Sequence, residues 1–231
     1  DKEKAEAHIK AGAKHVVISA PAKGNLKTIV YGVNDNLLDG TEEIISAASC
    51  TTNCLAPVLN ILDKNFGVKG GFMTTIHATT NDQTTLDIAH KKGAYSRRGR
   101  SAMVNIIPAS TGAASAIGKV LPHLDGKLSG SAFRVPTIDG SVIDLTIELN
   151  KHVSKEEINE AFKNNQNEVI EYTEDPIVSL DVVGRTTGAL VDGLLTEVLS
   201  TDAGELVKVV AWYDNELGYT NQMLRTMKKF I

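Results

Sequence analysis

Cysteines, aromatic residues and long apolar runs are scarce in this chain, and each scarcity excludes a class of protein. The 231 residues include two cysteines and one tryptophan, and aromatic side chains make up 5%. Two cysteines separated by three residues cannot build the disulfide framework of a small secreted domain, so we expect reduced thiols and a cytoplasmic location. Because no apolar run is long enough to cross a bilayer and no signal peptide is visible, we expect no membrane partner.

The charge balance excludes a second class of partner. The 24 basic and 28 acidic residues give a formal net charge of −4, so the chain lacks the positive surplus of nucleic-acid-binding proteins. We therefore expect no nucleic acid partner, and the sequence predicts no metal site. A hydrophobic content of 42% is ordinary for a globular protein, and the length suits one large or two modest domains.

A further absence concerns nucleotide binding, since the glycine-rich phosphate loop G-x-G-x-x-G occurs nowhere in the sequence. The first residues nevertheless form a charged helical pattern that leads into a short apolar strand at residues 15–20. This order is typical of the end of a βαβ unit. We therefore expect residues 1–49 to be the remaining part of a parallel α/β domain, and the chain to be the back portion of something longer.

Beyond residue 49 the pattern changes to that of an α+β domain. Residues 142–149 alternate apolar and polar side chains, which predicts a strand with one buried face, and Ser154 with Glu157 forms a capping-box signal for a helix. Residues 79–108 read as a long loop, and such loops inside a domain are more often functional than idle. We expect an antiparallel or mixed sheet with helices on one face over residues 50–214, followed by a C-terminal helix at 215–231.

The remaining elements are predicted from shorter signals. A helix that ends at Phe66 contains Pro57, which should kink it near its start, and another helix begins with Ser110 or Thr111 as its cap. Further strands are predicted at 25–34, 42–49, 71–80, 130–135 and 206–213.

Both cysteines lie in one stretch, SAASCTTNCLAP, where a short strand passes into a helix. The N-terminus of a helix favours a negative charge because its backbone N–H groups are unpaired, so this position is expected to lower the pKa of the Cys50 thiol. Cys54, one turn further on, is expected to be buried and inert. From this stretch alone, a reactive Cys50 and a purely structural one are about equally compatible with the sequence.

His77 offers the predicted thiol a partner. It ends a strand that follows the helix of Cys50, so the two side chains can meet at one edge of the sheet, where an imidazole would act as the base of an activated nucleophile. A histidine at a strand end is more often structural. The pair alone is also compatible with a cofactor-free cysteine hydrolase or acyltransferase.

Hydroxyl, backbone and guanidinium groups near these two residues predict phosphate pockets. They are supplied by Ser49, Thr51, Thr111, Gly112 and Arg134. Arg134 interrupts an apolar strand, although an internal salt bridge explains it equally well. Arg97, Arg98 and Arg100 of the long loop, taken alone, are more typical of a solvated surface. Together, the groups predict covalent attack by a thiol on a phosphorylated carbonyl compound.

Five ordered segments of the chain carry a resemblance to a known family. They are SAASCTTNCLAP, TTIHATTNDQ, RRGRSAMVNIIPASTGAA, AFRVPT and WYDNELGY. In order and spacing they resemble the phosphorylating glyceraldehyde-3-phosphate dehydrogenases, over essentially the whole chain. The related erythrose-4-phosphate dehydrogenases share the cysteine motif but typically lack STGAA, so the triose enzymes are the better match. The resemblance implies oxidation of glyceraldehyde 3-phosphate to 1,3-bisphosphoglycerate, with NAD and inorganic phosphate, by a cytoplasmic homotetramer of glycolysis.

The resemblance also implies a role for each site residue. Cys50 is similar to the family's nucleophile, which forms a thiohemiacetal and then a thioester, and His77 is similar to its base. The implied binding residues are Ser49, Thr51, Thr111 and Gly112 for the attacking phosphate, Thr80 and Arg134 for the substrate's own phosphate, Arg98 as the loop arginine that serves these sites, and Ser19 and Asn215 for the cofactor. The loop from Thr80 to about Met103 resembles the family's S-shaped loop, which borders the cofactor and a subunit interface.

Two departures accompany the resemblance. Leu217 stands where many members carry tryptophan, which should change packing rather than chemistry. The glycine-rich dinucleotide segment is missing from these residues, so we expect the chain on its own to bind NAD weakly or not at all and to be inactive. The last helix, which packs on the nucleotide-binding domain in the family, is then expected to lack its usual partner. A catalytically silent assembly module remains an alternative.

Overall fold

The computed structural model describes residues 1–86, 88–93, 95–202 and 204–230. The helices are α1 (Lys2–Lys10), α2 (Cys50–Phe66), α3 (Ala113–Val120), α4 (Lys155–Asn164) and α5 (Leu217–Phe230). The strands are β1 (Val16–Ile18), β2 (Ile44–Ser46), β3 (Val68–His77), β4 (Ile107–Ser110), β5 (Leu128–Arg134), β6 (Ser141–Leu149), β7 (Ile170–Thr173), β8 (Ala189–Asp192), β9 (Glu197–Thr201) and β10 (Gly204–Tyr213). No helix in this part of the chain is long and apolar enough to span a membrane.

A large mixed sheet forms the centre of the molecule. Within the described ranges its strand order is β4-β5-β3-β6-β10-β8-β7, with β9 pairing to β10. The β3–β5 and β7–β8 pairs are parallel, whereas β6 pairs antiparallel with both β3 and β10. A mostly antiparallel sheet accompanied by helices confirms the predicted α+β fold.

The core lies between α2 and the sheet. Alternate residues of β6 point towards the helix, and Ile143, Leu145 and Ile147 are fully buried in the same cluster as Leu55 and Leu59 of α2. Burial of each such side chain contributes about 2 kcal/mol to folding. The alternation at 142–149 was visible in the sequence, and the structure places its apolar face in this core.

The first residues form a small separate sheet, in which β1 and β2 run parallel. The strand predicted at 25–34 is wrong, because the structure has only an isolated bridge between Thr28 and Ser46 there. The side chain of Asn34 explains the difference: its Oδ1 accepts from the Val30 N–H at 2.8 Å and its Nδ2 donates to the Thr28 carbonyl at 2.9 Å. These bonds occupy backbone groups that a longer ladder would need.

The C-terminal helix reaches this first segment. Phe230, near the end of α5, packs with Ile29 and Ile45 in a second small apolar cluster, and its ring meets that of His15 edge-on at 4.9 Å. The face of α5 that carries Leu217 and Leu224 remains exposed.

Several element boundaries differ from the prediction, among them the starts of two helices. Ser110 does not cap a helix, because it belongs to β4, a strand that begins at the end of the predicted loop and pairs with β5. Gly112 precedes α3, and the Thr111 hydroxyl accepts from the Ala113 N–H at 3.2 Å. The last helix begins at Leu217, because Asp214 accepts hydrogen bonds from the N–H groups that follow it.

Candidate active site

A tight turn presents Cys50 at the start of α2. Ala48 has φ of 59°, in the left-handed region that residues other than glycine seldom occupy. Ser46 Oγ accepts from the Ala48 N–H at 3.1 Å, and Ser49 Oγ caps the helix by accepting from the Thr52 N–H at 3.1 Å. The half-buried thiol therefore stands at the helix N-terminus, as the sequence predicts.

The structure brings the Cys50 thiol and the His77 imidazole together. His77 is the last residue of β3, and its Nε2 lies 3.4 Å from the Cys50 sulfur. Cys54 faces the core instead and is fully buried. The distance suits a hydrogen bond that involves sulfur, so the imidazole can accept the proton of the thiol.

The other nitrogen of His77 has two competing partners. Nδ1 lies 2.8 Å from the Ala78 carbonyl oxygen and 2.7 Å from Nη1 of Arg134. When Nδ1 carries the hydrogen, it donates to Ala78 and leaves Nε2 free to accept from the thiol. When Nδ1 is bare, it accepts from Arg134, and Nε2 then carries the hydrogen. Only the first tautomer is the base that nucleophilic attack requires.

The charge state of the pair differs from the prediction. Burial raises the pKa of the Cys50 thiol, although hydrogen bonds from Thr51 and the charge of Arg134 oppose this increase. Burial and the nearby Arg134 guanidinium lower the pKa of His77 to about 4. The sequence showed the helix terminus, which favours a thiolate, but not the burial that outweighs it. At neutral pH the pair is a thiol beside a neutral imidazole.

Arg134 joins this pair to a polar cluster. Its Nη1 donates to the Thr80 hydroxyl at 2.9 Å, and its Nη2 lies 3.4 Å from a carboxylate oxygen of Asp82. Asp82 also accepts hydrogen bonds from Thr80 and from the Arg98 guanidinium. The cluster therefore holds two guanidinium groups around one carboxylate. Arg134 forms the internal salt bridge that was one of the two interpretations of its place in an apolar strand.

Arg134 retains an unused donor. Its side chain is only 12% exposed, and its Nε is buried with no hydrogen-bond partner in the described part of the chain. A buried unpaired donor on a cation is costly, so an anion that reached this atom would be stabilised. The observation supports a phosphate site at Arg134.

The three arginines of the long loop separate in space. Arg98 points inwards and donates to the Ser110 carbonyl at 2.8 Å, whereas Arg97 and Arg100 are exposed. Thr111 and Gly112 stand at the N-terminal end of α3, which packs against α2. Ser19 is exposed, directly after β1.

Asn215 is buried beside the His77 strand, and its amide group has an unpaired donor in the described part of the chain. Its Oδ1 accepts from the Ser141 hydroxyl at 2.6 Å, and Ser141 accepts from the Ala78 N–H at 3.0 Å. Its Nδ2 is buried and has no partner among the described residues, so it is free to donate to a carboxamide oxygen. The same residues contain no group of three or more His, Cys, Asp or Glu side chains placed to hold a metal ion.

Sequence reasoning missed three residues of this site. Asp82 lies two residues after Thr80, inside the segment TTIHATTNDQ. Its carboxylate belongs to the same predicted loop as the three arginines, and this was an available signal. Ser141 and Tyr213 gave no such signal, because strand pairing alone brings them beside residues distant in sequence. The Tyr213 hydroxyl lies 2.9 Å from that of Thr51.

Comparisons with known proteins agree with the motifs. A family profile described as "Glyceraldehyde 3-phosphate dehydrogenase, C-terminal domain" matches residues 49–215. The chain is 59% identical over 229 residues to a glyceraldehyde-3-phosphate dehydrogenase of Clostridium pasteurianum, covering 99% of this chain and 68% of that protein. Proteins of the same name from Clostridium acetobutylicum and Streptococcus pyogenes are 58% and 54% identical, with the same coverage. The chain therefore belongs to the glyceraldehyde-3-phosphate dehydrogenase family, oxidoreductases of glycolysis that use a nicotinamide cofactor, and it contains the family's C-terminal portion.

Proposed function

We propose that this chain carries the nucleophile, the base and the phosphate-binding residues that convert glyceraldehyde 3-phosphate, NAD and inorganic phosphate into 1,3-bisphosphoglycerate and NADH. The observation that carries the proposal is the 3.4 Å contact between Cys50 Sγ and His77 Nε2 at the N-terminus of α2. Family membership supports the dehydrogenase reaction, and the cluster around Arg134 supports a phosphorylated substrate.

His77 acts first, as a general base. Its neutral Nε2 takes the proton of the Cys50 thiol while Nδ1 donates to the Ala78 carbonyl. The sulfur then attacks the aldehyde carbon, and the imidazolium returns its proton to the developing alkoxide, so that the product is a thiohemiacetal. The helix N-terminus stabilises the transient thiolate, which burial otherwise disfavours.

Arg134 and Thr80 hold the phosphate of the substrate, with Arg98 and Asp82 beside them. A dianionic phosphate competes with Asp82 for the two guanidinium groups and reaches the unpaired Nε of Arg134. The bound phosphate also neutralises part of the positive charge that the Arg134 guanidinium presents to Nδ1 of His77. Substrate binding thus favours the tautomer of His77 that serves as the base.

Asn215 and Ser19 are the proposed cofactor contacts of this chain. The chemistry that bound NAD supplies is acceptance of the hydride that leaves the thiohemiacetal carbon. Asn215 Nδ2 orients the nicotinamide amide, and His77 removes the hydroxyl proton as the hydride departs. Cys50 then carries the acyl group as a thioester.

The second phosphate cleaves this thioester. Ser49, Thr51, Thr111 and Gly112 supply hydroxyl and backbone donors at the ends of two packed helices, an arrangement that suits an anion. An oxygen of inorganic phosphate attacks the acyl carbon, and the Cys50 sulfur leaves and takes back its proton from His77. The products are the acyl phosphate and the original thiol.

We further propose that the chain contains parts of two functional units. Residues 50–214 form the catalytic domain, while residues 1–49 and the helix at 215–231 belong to the nucleotide-binding unit. The contact of Phe230 with Ile29 and Ile45 supports the second grouping. Because residues 1–231 contain no glycine-rich phosphate loop, they bind NAD weakly or not at all and are inactive by themselves.

The assembled enzyme is proposed to be a cytoplasmic homotetramer, with no nucleic acid or membrane partner. Phe72 on the sheet is 70% exposed, and the loop around Leu86 and Tyr95 exposes further apolar side chains. Such exposed apolar side chains are typical of surfaces that subunits cover. Sedimentation of the enzyme before and after Phe72→Glu tests this proposal, and an unchanged tetramer contradicts a role for Phe72.

One assay tests the reaction. NADH formation from glyceraldehyde 3-phosphate is measured with the chain alone, and with the chain joined to the preceding part of the Clostridium pasteurianum relative. We expect activity only from the joined protein, and none after Cys50→Ser or His77→Asn. Calorimetry that finds submillimolar NAD affinity in the chain alone contradicts the proposed weak binding.

Omission of phosphate and a change of substrate separate the alternatives. A cysteine hydrolase releases acid from an acyl thioester without phosphate, whereas the proposed enzyme needs phosphate for rapid product release. Faster turnover of erythrose 4-phosphate indicates the related activity instead. Rapid modification of Cys50 by iodoacetamide at neutral pH, with Cys54 spared, counts against a silent module, because only a presented thiol reacts selectively.

A further inference from the structure

The C-terminal helix reaches the turn that presents Cys50. Tyr219, in the first turn of α5, is half-buried, and its hydroxyl donates to the Ala48 carbonyl oxygen at 3.2 Å. The two residues lie 171 positions apart in the sequence. Ala48 is fully buried, so water cannot replace the tyrosine at this carbonyl. A distant part of the chain therefore supplies the hydrogen-bond donor that a buried backbone acceptor needs.

The conformation of Ala48 makes this bond more than a surface contact. Its φ of 59° lies in the left-handed region, where the Cβ of an L-residue crowds the following carbonyl oxygen. An unpaired carbonyl would let the peptide between Ala48 and Ser49 rotate, and the turn would relax to a less crowded conformation. Ser49 is the cap of α2 and Cys50 is its first residue, so such a rotation changes where the helix begins.

The other hydrogen bonds of the turn hold different groups. Asn53 Nδ2 donates to the Ala47 carbonyl at 2.9 Å and to the Ser49 carbonyl at 3.0 Å, but Asn53 belongs to α2 and moves with it. Ser46 Oγ accepts from the Ala48 N–H at 3.1 Å and so holds the nitrogen side of that residue. Tyr219 holds the carbonyl side, from an element outside α2.

We propose that Tyr219 is a positioning residue for the nucleophile: its hydroxyl holds the left-handed turn at Ala48, and this turn keeps the Cys50 sulfur within hydrogen-bond distance of His77. The inference rests on the proposed role of Cys50 as the nucleophile. Tyr219 acts through the backbone, because the carbonyl that it bonds lies two residues before Cys50. The sulfur stands 3.4 Å from His77 Nε2, and a displacement of about 1 Å at a reacting group is enough to slow a reaction strongly.

The helix α5 has other contacts that keep it in place without this hydroxyl. At its start Asp214 accepts from the Leu217 N–H at 2.7 Å, and at its end Phe230 packs in the second apolar cluster. Phenylalanine keeps the ring of Tyr219 and removes only its hydroxyl. Tyr219→Phe therefore tests the bond to Ala48 rather than the packing of the helix.

The test is alkylation of Cys50 by iodoacetamide at neutral pH, measured by mass spectrometry of the Cys50 peptide in the full chain. Tyr219→Phe is expected to slow the reaction about tenfold, because one buried hydrogen bond shifts the population of the correct turn by about that factor. Ala48→Gly removes the Cβ that makes the positive φ unfavourable. The double variant Tyr219→Phe/Ala48→Gly should therefore react within about twofold of Ala48→Gly alone.

A second measurement follows the partner of the sulfur. The ring nitrogen signals of His77 in an NMR spectrum are expected to move in Tyr219→Phe towards those of Cys50→Ala, which has no thiol, and to return in the double variant. Thr220→Val is the matched control, because Thr220 follows Tyr219 in α5 but its hydroxyl donates to the Glu216 carbonyl at 2.7 Å. Its loss should leave both the alkylation rate and the His77 signals unchanged.

A wild-type alkylation rate in Tyr219→Phe overturns the inference, and so does a double variant that stays as slow as Tyr219→Phe. If Tyr219→Phe does not fold, the double variant decides. A folded double variant with the rate of Ala48→Gly supports the inference, whereas an unfolded one shows that Tyr219 holds more than the turn and overturns it. These measurements use neither NAD nor substrate, so absence of turnover in the joined wild-type protein refutes the proposed function separately.

Discussion

The neutral state of His77 makes the stability of the fold depend on pH. Its pKa is about 4 in the folded chain, against an ordinary value of 6.5. Between these values the unfolded chain binds a proton that the folded chain does not, so acid favours unfolding. The contribution of the neutral His77 imidazole to the free energy of unfolding is complete above pH 6.5 and is lost as the pH falls towards 4. From pH 7.5 to pH 5 the loss amounts to about 2 kcal/mol.

Urea unfolding of the wild-type chain and of His77→Asn at these two pH values measures this contribution. Each protein serves as its own reference, so any cost of the substitution itself cancels from the pH difference. We expect the wild-type free energy of unfolding to fall by about 2 kcal/mol more than that of His77→Asn.

Equal pH dependence in the wild-type and His77→Asn chains refutes the reasoning. A titration of the His77 ring by NMR gives an independent result on the unmodified protein. A midpoint near 6.5 shows that neither burial nor Arg134 disfavours the imidazolium, and the neutral pair described above is then wrong.

Three further predictions concern single substitutions. Arg134→Met removes the cation 2.7 Å from Nδ1 of His77 and should raise the pKa of the imidazole, which NMR titration measures; an unmoved midpoint contradicts the contact. Ser49→Ala removes the cap of α2 and should lower the free energy of unfolding, measured in urea, by about 1 kcal/mol. An unchanged unfolding midpoint contradicts this prediction. Gly71→Ala should cost on the order of 3 kcal/mol, because its Cβ would clash with the Thr146 carbonyl oxygen, and wild-type stability would show that β3 and β6 are less closely paired.

Elements with local signals were predictable from the sequence. Helix α4 follows its capping box, in which Ser154 accepts from the Glu157 N–H at 3.1 Å and Glu157 accepts from the Ser154 N–H at 2.8 Å. Strand β6 follows its strict alternation. In both cases the residues that decide the structure are neighbours in the chain, so a short window contains the whole cause.

Elements decided by distant residues were not predictable in the same way. Thr28 and Val30 read as strand, and only the folded position of Asn34 shows where their backbone bonds go. The charge state of the Cys50 thiol also depends on distant residues. Its place at a helix terminus is local and was predicted, whereas its burial depends on strands far along the chain, and that burial decides its charge.

The pairing of β3 with β5 has a consequence for any attempt to change the substrate. His77 and Arg134 are direct partners in the parallel ladder, so the backbone itself fixes the spacing between the proposed base and the proposed phosphate-binding residue. A deletion or insertion of one residue in β5 would turn Arg134 to the opposite side of the sheet. Engineering for a longer or shorter aldehyde must therefore leave both strands intact and reshape the segment around Thr80 and Arg98, which reaches Arg134 from outside the ladder.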